Sequence, residues 1–488
     1  MLFNSIEYLF FFSFVVVLYY LCPQKIRFVL LLAANYFFYA CWNLNNVWIL
    51  VYITAIAYIS GVLLERTDSK KCGRAVILTA AVLCFGILFI YKYLDFILGN
   101  VSRIFGKMNI NVGLPELDLL LPVGISFYIF QAFGYIVDIS KGKIRAERNP
   151  LKLAAFVSFF PTLLSGPIER ADNLLVQIKA GKRGNLDQIK RGLLLIAWGL
   201  FLKVAVADNI APCVDIIYDS YSAYRGIEVL IATVLFGFQI YCDFAGYSYM
   251  AIGSAKVLGF DLRDNFKTPY LSMNVTEFWR RWHISLTSWF RDYVYIPLGG
   301  NRKGKGKKYR NTMIVFLLSG LWHGAGWSYL FWGGLNGLYV VAEDIFRTVR
   351  DKKEKQKRHR GLLVKVLAIA LTFVLVDYAW LYFRADSFSQ GIQMTWMMLS
   401  GLHAEYLWNG AVVQELGGTA VIVKILIGIT ILIIVDCLQW KRQDILGAVL
   451  EKPWYFRWSI YVLLLFGIII LGVYGGSYEQ TEFIYFQF

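Results

Sequence analysis

Apolar residues along the chain are grouped into blocks of about 20 that are separated by short polar segments. A helix of about 20 apolar residues crosses the ~30 Å hydrocarbon layer of a bilayer, so each block predicts a transmembrane helix. The expected spans are residues 7–22, 27–42, 47–64, 75–97, 119–139, 191–207, 229–250, 311–324, 327–346, 363–383, 418–438 and 456–474. The pattern therefore predicts an all-α polytopic membrane protein.

The amino-acid composition also favours a membrane protein. Hydrophobic residues make up 58% of the 488-residue chain and charged residues 17%, whereas soluble proteins carry about 25% charged residues. Because a single hydrophobic core stops growing near ~250–300 residues, the apolar excess requires a lipid-facing surface. The sequence contains no long Gly/Ser or Pro linker, which predicts one domain over residues 1–488 that ends in a tail over residues 475–488.

The positive charge is concentrated in short segments between the apolar blocks. Cytoplasmic loops of membrane proteins retain Lys and Arg, so six basic segments are expected on that side: residues 66–74, 141–152, 179–191, 302–310, 347–360 and 440–442. The base-poor segments, including residues 208–227, are then extracytoplasmic loops, and alternation places both termini outside. Topology thus explains the net charge of +16, and no nucleic-acid partner is expected.

Two segments do not fit simple spans. Residues 156–167 are apolar but short and contain Pro161, and residues 273–298 carry six charged or histidine side chains. Irregular or charged backbone at membrane depth persists only where protein or water surrounds it, so both segments are predicted to be re-entrant. The alternative for residues 273–298 is an amphipathic helix on the membrane surface. Lys203 is interpreted as a structural ion-pair or helix-end residue.

Histidine is the side chain most suited to acid–base chemistry near neutral pH, and the chain has four. His359 and His403 lie in polar loops and need no special role. His283 and His323 lie between apolar runs, where an ionisable side chain is costly and indicates function. His323 is expected at the turn of a helical hairpin, and the alternative is a hydrogen-bonded core histidine. The seven cysteines form no CxxC pair, so no metal site is expected.

Several sequence blocks are long enough to indicate a family. Residues 278–302 read FWRRWHISLTSWFRDYVYIPLGGNR, residues 121–128 LPVGISFY, residues 239–248 QIYCDFAGYS and residues 319–324 SGLWHG. Together they resemble the alginate O-acetylation branch of the membrane-bound O-acyltransferase family. The resemblance implies a ring of about 11–12 transmembrane helices, with re-entrant segments, around a central tunnel.

The same resemblance assigns roles to individual residues. His323 matches the histidine taken as the catalytic base of the family, and His283 matches its second signature histidine. The residues expected to line the substrate tunnel are Arg281, Trp282, Trp322, Asp243 and Ser319.

The resemblance further implies an O-acyltransferase of the bacterial cytoplasmic membrane. It would pass an acyl group, most simply acetyl, from a cytoplasmic thioester such as acetyl-CoA to an extracytoplasmic polysaccharide, without a bound cofactor. An extracytoplasmic hydrolase-like acetyltransferase partner would complete the transfer, and membrane lipid would surround the helices. The alternatives are D-alanyl transfer to teichoic acid, lysophospholipid acylation, or a transporter.

The last six residues, FIYFQF, are mostly aromatic. They resemble the C-terminal motif of a small membrane peptide of teichoic-acid D-alanylation, which implies that Tyr485 is an acyl carrier. The alternative is that these rings only anchor the tail at the membrane interface, where aromatic side chains are enriched.

Overall fold

A computed structural model describes residues 1–110, 119–353, 361–403, 405–408, 410–442, 444–474 and 483–484. Over these residues the regular elements are helices and there is no strand, which confirms the all-α class. The helices are α1 Ile6–Leu21, α2 Arg27–Ala40, α3 Val47–Arg66, α4 Lys70–Lys92, α5 Leu94–Lys107, α6 Ile125–Ser140, α7 Pro150–Val157, α8 Phe160–Leu163, α9 Leu174–Ala180, α10 Leu186–Leu200, α11 Asp208–Asp219, α12 Gly226–Leu258, α13 Val275–Arg281, α14 Ile284–Phe290, α15 Lys305–His323, α16 Trp327–Lys353, α17 Leu362–Arg384, α18 Phe388–Ser400, α19 Glu405–Trp408, α20 Ala411–Glu415, α21 Thr419–Lys441, α22 Ile445–Leu450 and α23 Trp454–Leu471.

Several of these helices are long and apolar enough to cross a bilayer. Among the described residues there are seven: Leu44–Arg66, Lys70–Lys92, Leu186–Asp219, Gly226–Leu258, Leu362–Arg384, Thr419–Lys441 and Trp454–Leu471. The other expected spans are also helical, but α1, α2 and α6 are shorter, and α15 and α16 carry charged residues. The protein is therefore a multi-pass membrane protein, as its hydrophobic pattern predicts.

One expected loop is instead part of a helix. Residues 208–219, predicted as the start of an extracytoplasmic loop because of their acidic residues, continue α10 through a π-helical segment, Phe201–Ala207, into α11. The carboxylate of Asp208 forms an ion pair with Lys203 at 2.8 Å. Because this charge is neutralised inside the protein, it does not end the helix.

The chain forms two compact units, and the prediction of a single domain stays a prediction. The first unit comprises residues 1–192 and 251–263. It contains the predicted irregular segment, in which α7 ends at Val157 and the short α8 follows, with both helices largely buried. Asn35 of α2 donates to the Ala155 carbonyl at 3.2 Å and accepts from the Phe160 backbone N–H at 2.9 Å. These bonds satisfy the interrupted backbone, which explains how a broken helix is tolerated in the interior.

The second unit comprises residues 193–250 and 264–488. It contains the other irregular segment, which forms the short helices α13 and α14. The aromatic side chains that suited a surface helix are buried instead, since Trp282 is 1% exposed and Trp289 is 3% exposed. The segment is thus folded into the protein, and the amphipathic surface helix is not what the structure shows.

Helices α15 and α16 form a tight hairpin in this unit. A Cβ atom on Gly320 would lie 2.3 Å from the Tyr329 carbonyl oxygen, and one on Gly333 would lie 2.3 Å from the Phe316 carbonyl oxygen. The two backbones can approach this closely only because both positions are glycine. His323 is the last residue of α15 and lies at the turn, as the sequence predicts.

Candidate functional site

His283 occupies a break between two short helices in the second unit. Helix α13 ends at Arg281, and His283 takes the left-handed backbone conformation at φ 43° before α14 begins at Ile284. This conformation is uncommon for a residue with a Cβ and is maintained where the surroundings fix it. The side chain is 1% exposed, so the strained backbone directs the imidazole into the protein interior.

The tautomer of His283 follows from its contact with Asn265. The Asn265 side-chain oxygen accepts from the Ser285 backbone N–H at 3.3 Å and from the Ser285 hydroxyl at 2.9 Å. The same oxygen lies 3.1 Å from Nδ1 of His283. Because the oxygen can only accept, Nδ1 carries the proton, and Nε2 keeps the lone pair that a base requires.

The charge state of His283 gives a testable pH dependence. Burial lowers the pKa of His283 to about 3. The unfolded chain binds this proton below pH ~6.5 and the folded protein does not, so stability is lost as the pH falls from ~6.5 toward 3, by up to ~1.4 kcal/mol per pH unit. We expect the melting temperature of purified His283→Gln to fall less steeply over this range than that of the wild type. Equal slopes would show that His283 is not held neutral.

His323 lies in an aromatic environment at the end of α15. It is 4% exposed, and its ring centroid lies 5.0 Å from that of Trp332 and 5.2 Å from that of Phe383, both in edge-on geometry. Trp332 belongs to α16 and Phe383 to α17, so the hairpin and the following helix fix the imidazole from two sides. Aromatic walls exclude water and hold the ring in one orientation.

Trp322 brings the two histidines into one site. Its ring centroid lies 4.8 Å from that of His323 and 5.9 Å from that of His283. Trp322 is itself 5% exposed. Two residues 40 positions apart in sequence therefore border the same buried indole, and their catalytic assignment stays a prediction.

The other predicted tunnel residues lie in the same unit, but in different environments. Ser319 is 7% exposed and lies one turn before His323 on the same face of α15. Trp282 packs within a ring cluster, 5.0 Å from both Phe266 and Trp380. Arg281 forms an ion pair with Glu277 at 2.7 Å. Their assignment as tunnel-lining residues stays a prediction.

Asp243, the remaining predicted residue, belongs to a buried charge cluster. Nζ of Lys203 lies 2.8 Å from a carboxylate oxygen of Asp243 and 2.8 Å from one of Asp208. All three side chains are at most 4% exposed. The interpretation of Lys203 as an ion-pair residue is thus correct, and it has two carboxylate partners.

Part of the aromatic tail is placed beside this cluster. Phe483 is fully buried, with its ring centroid 4.4 Å from that of Tyr247 and 5.8 Å from that of Phe244. Phe244 also contacts His283, at a centroid distance of 4.6 Å. The proposed carrier Tyr485, with residues 475–482 and 486–488, lies outside the described residues.

Comparison with known proteins identifies the family. A profile of the membrane-bound O-acyltransferase (MBOAT) family matches residues 140–385, a range that includes both site histidines. The chain belongs to this family.

Similar MBOAT-type proteins extend the likeness well beyond that range. The chain is 33% identical to the probable alginate O-acetylase AlgI of Azotobacter vinelandii, over 92% of this chain and 87% of that protein. It is 36% identical to the probable alginate O-acetylase AlgI of Pseudomonas putida, over 82% and 80%. It is 30% identical to the peptidoglycan O-acetyltransferase of Helicobacter pylori, over 94% and 91%. This MBOAT protein is therefore an O-acyltransferase, as the sequence blocks indicate.

Two residues that hold predicted site residues in place are not among the site residues predicted from sequence, although Lys203 was interpreted there as an ion-pair residue. Asn265 determines the tautomer of His283, and Lys203 holds Asp243 and Asp208 together. A lysine within an apolar block indicates a paired charge, and Lys203 lies within such a block. No comparable signal marks Asn265, because its function depends on the position of a histidine 18 residues later.

Proposed function

We propose that this O-acyltransferase passes an acetyl group from a cytoplasmic thioester, such as acetyl-CoA, to an extracytoplasmic polysaccharide. The observation that supports it best is the pair of buried imidazoles on one indole, because acyl transfer needs a base in a site from which water is excluded. The names of three similar proteins, which refer to alginate and peptidoglycan O-acetylation, favour acetyl as the acyl group and a polysaccharide as the acceptor.

In the proposed reaction, Tyr485 receives the acetyl group and His323 is the base. The imidazole takes the phenol proton, and the phenolate oxygen attacks the thioester carbonyl carbon to form a C–O bond. The C–S bond then breaks, and the thiolate leaves with the proton from the imidazolium. The products are O-acetyl-tyrosine and the free thiol.

The acetyl group then leaves the membrane protein in a second transfer. A polysaccharide hydroxyl attacks the acetyl-tyrosine ester, the tyrosine recovers its proton, and an extracytoplasmic hydrolase-like partner catalyses this step. This order requires the C-terminal tail outside a bacterial cytoplasmic membrane, as in the predicted topology with both termini outside and the basic segments inside. The packing of Phe483 against Phe244, which also contacts His283, supports a tail that reaches the site.

A mass-spectrometric experiment tests the carrier. We expect the peptide that contains Tyr485 to gain the mass of one acetyl group when the second transfer is slowed by an inactive partner. Tyr485→Phe should lose both this adduct and polymer acetylation, whereas Tyr478→Phe, in the same tail, should keep both.

Three outcomes of that experiment would change the proposal. Full polymer acetylation by Tyr485→Phe would leave the tail as an aromatic membrane anchor. An adduct with the mass of alanine would favour D-alanyl transfer to teichoic acid. An adduct on a lipid extract instead of the tail would favour phospholipid acylation.

A further inference from the structure

The buried charge cluster of the second unit, formed by Lys203, Asp208 and Asp243, joins two carboxylates to one ammonium group. Asp208 and Asp243 each approach Nζ of Lys203 at 2.8 Å. A buried carboxylate is costly unless hydrogen-bond donors satisfy its oxygens. Hydrogen-bond donors to the carboxylate oxygens therefore stabilise the cluster.

Close packing of α10 against α12 brings the residues of this cluster together. A Cβ atom on Gly199 would lie 2.4 Å from the Gly246 carbonyl oxygen, and one on Gly246 would lie 2.7 Å from the Gly199 carbonyl oxygen. The contact of α10 with α12 is thus backbone to backbone, just before the π-helical segment that carries Lys203. The π-helical segment Phe201–Ala207 carries Lys203. Such segments are frequent at functional sites.

One such donor is a backbone N–H of the C-terminal tail. The Ile484 backbone N–H donates to Oδ2 of Asp243 at 2.8 Å, and both residues are buried. Oδ1 of the same carboxylate faces Lys203, so each oxygen has a different partner. A hydrogen bond to a charged, desolvated acceptor is about twice as strong as one between neutral groups.

The chain before the tail is also attached to this region. The Val473 backbone N–H donates to the Val204 carbonyl at 3.3 Å, and Asn209 donates to the Leu471 carbonyl at 2.8 Å. Val204 directly follows Lys203. The end of α23 is therefore bonded to the residues that directly follow Lys203, and Ile484 is bonded to Asp243, the ion-pair partner of Lys203.

We propose that Asp243, oriented by Lys203, is the anchor that docks Phe483 and Ile484 beside the histidine site. The anchor recognises a backbone N–H, and the rings of Tyr247 and Phe244 receive Phe483. Tyr485 is covalently attached to the anchored residue. Asp243 is thus a positioning residue for the tail. Its effect on catalysis rests on the proposed carrier function, while the docking itself does not.

Hydrogen–deuterium exchange of the full-length protein in detergent tests the docking directly. We expect slow exchange at Ile484 in the wild type and exchange at least about tenfold faster in Asp243→Ala, since a charge-assisted hydrogen bond is lost. Exchange in α16 should be unchanged, because the side chains of the cluster come from the π-helical segment, α11 and α12. Unchanged slow exchange at Ile484 in folded Asp243→Ala would overturn the anchor.

A variant of the tail itself keeps the test decisive if Asp243→Ala does not fold. Ile484→Pro removes the donor N–H and leaves the charge cluster intact. We expect the amides that follow residue 484 to exchange at least about tenfold faster than in Ile484→Val, which keeps the N–H. Equal exchange in the two variants would overturn the proposal.

The carrier and the anchor can fail separately. If Tyr485→Phe keeps polymer acetylation while Asp243→Ala releases the tail, the carrier role is wrong and the anchor stands. If Tyr485→Phe abolishes acetylation while Asp243→Ala leaves exchange at Ile484 slow, the carrier stands and another group positions it.

Discussion

His323→Ala is expected to reduce polymer acetylation by about 10²–10⁴-fold at matched protein levels in the membrane. In the proposed reaction the imidazole removes the phenol proton of Tyr485, and an alanine methyl cannot replace it. The measurement is acetate released from the extracellular polymer by mild base, normalised to the amount of membrane protein. The melting temperature of the purified variant should show that the loss is not a folding defect.

A second histidine provides the control for this substitution. His403 is exposed, and its ring centroid lies 6.3 Å from that of Tyr406. His403→Ala should therefore acetylate the polymer as the wild type does. If His323→Ala retained more than a tenth of the wild-type acetylation, His323 would not be the base, and the other imidazole on Trp322 would take its place.

Lys203→Met is expected to destabilise the protein by about 3–5 kcal/mol, the cost of breaking a buried ion pair. The substitution keeps the length of the side chain but leaves the carboxylates of Asp208 and Asp243 buried without their shared cation. We expect a lower yield of monodisperse protein and a lower melting temperature in detergent. The measurement is thermal unfolding followed by size-exclusion chromatography.

A surface lysine gives the matched comparison. Lys256 pairs with Asp261 at 2.7 Å, but the two side chains are 22% and 51% exposed. Exposed pairs contribute at most ~1 kcal/mol, so Lys256→Met should change the melting temperature little. Similar shifts for both variants would mean that the Lys203 cluster is open to water, and the argument for a desolvated anchor at Asp243 would fail with it.

The amino-acid sequence alone determines the class of the protein and selects the two histidines of its candidate site. Blocks of about 20 apolar residues require a lipid-facing surface, and the hairpin turn at His323 follows from the length of residues 311–346. Burial of two histidines between apolar runs is costly enough to indicate function. These features are local in sequence, or follow from simple length and hydropathy, and so they can be read without coordinates.

Only the tertiary structure determines how the site is assembled. The sequence pattern places Asp208 in a loop, because an acidic residue beside an apolar block looks like the end of a span, while its partner Lys203 keeps it in a helix. The bond from Ile484 to Asp243 joins residues 241 positions apart. No periodicity or motif encodes such a pairing, because its energy depends on desolvation and distance, which arise only once the helices pack.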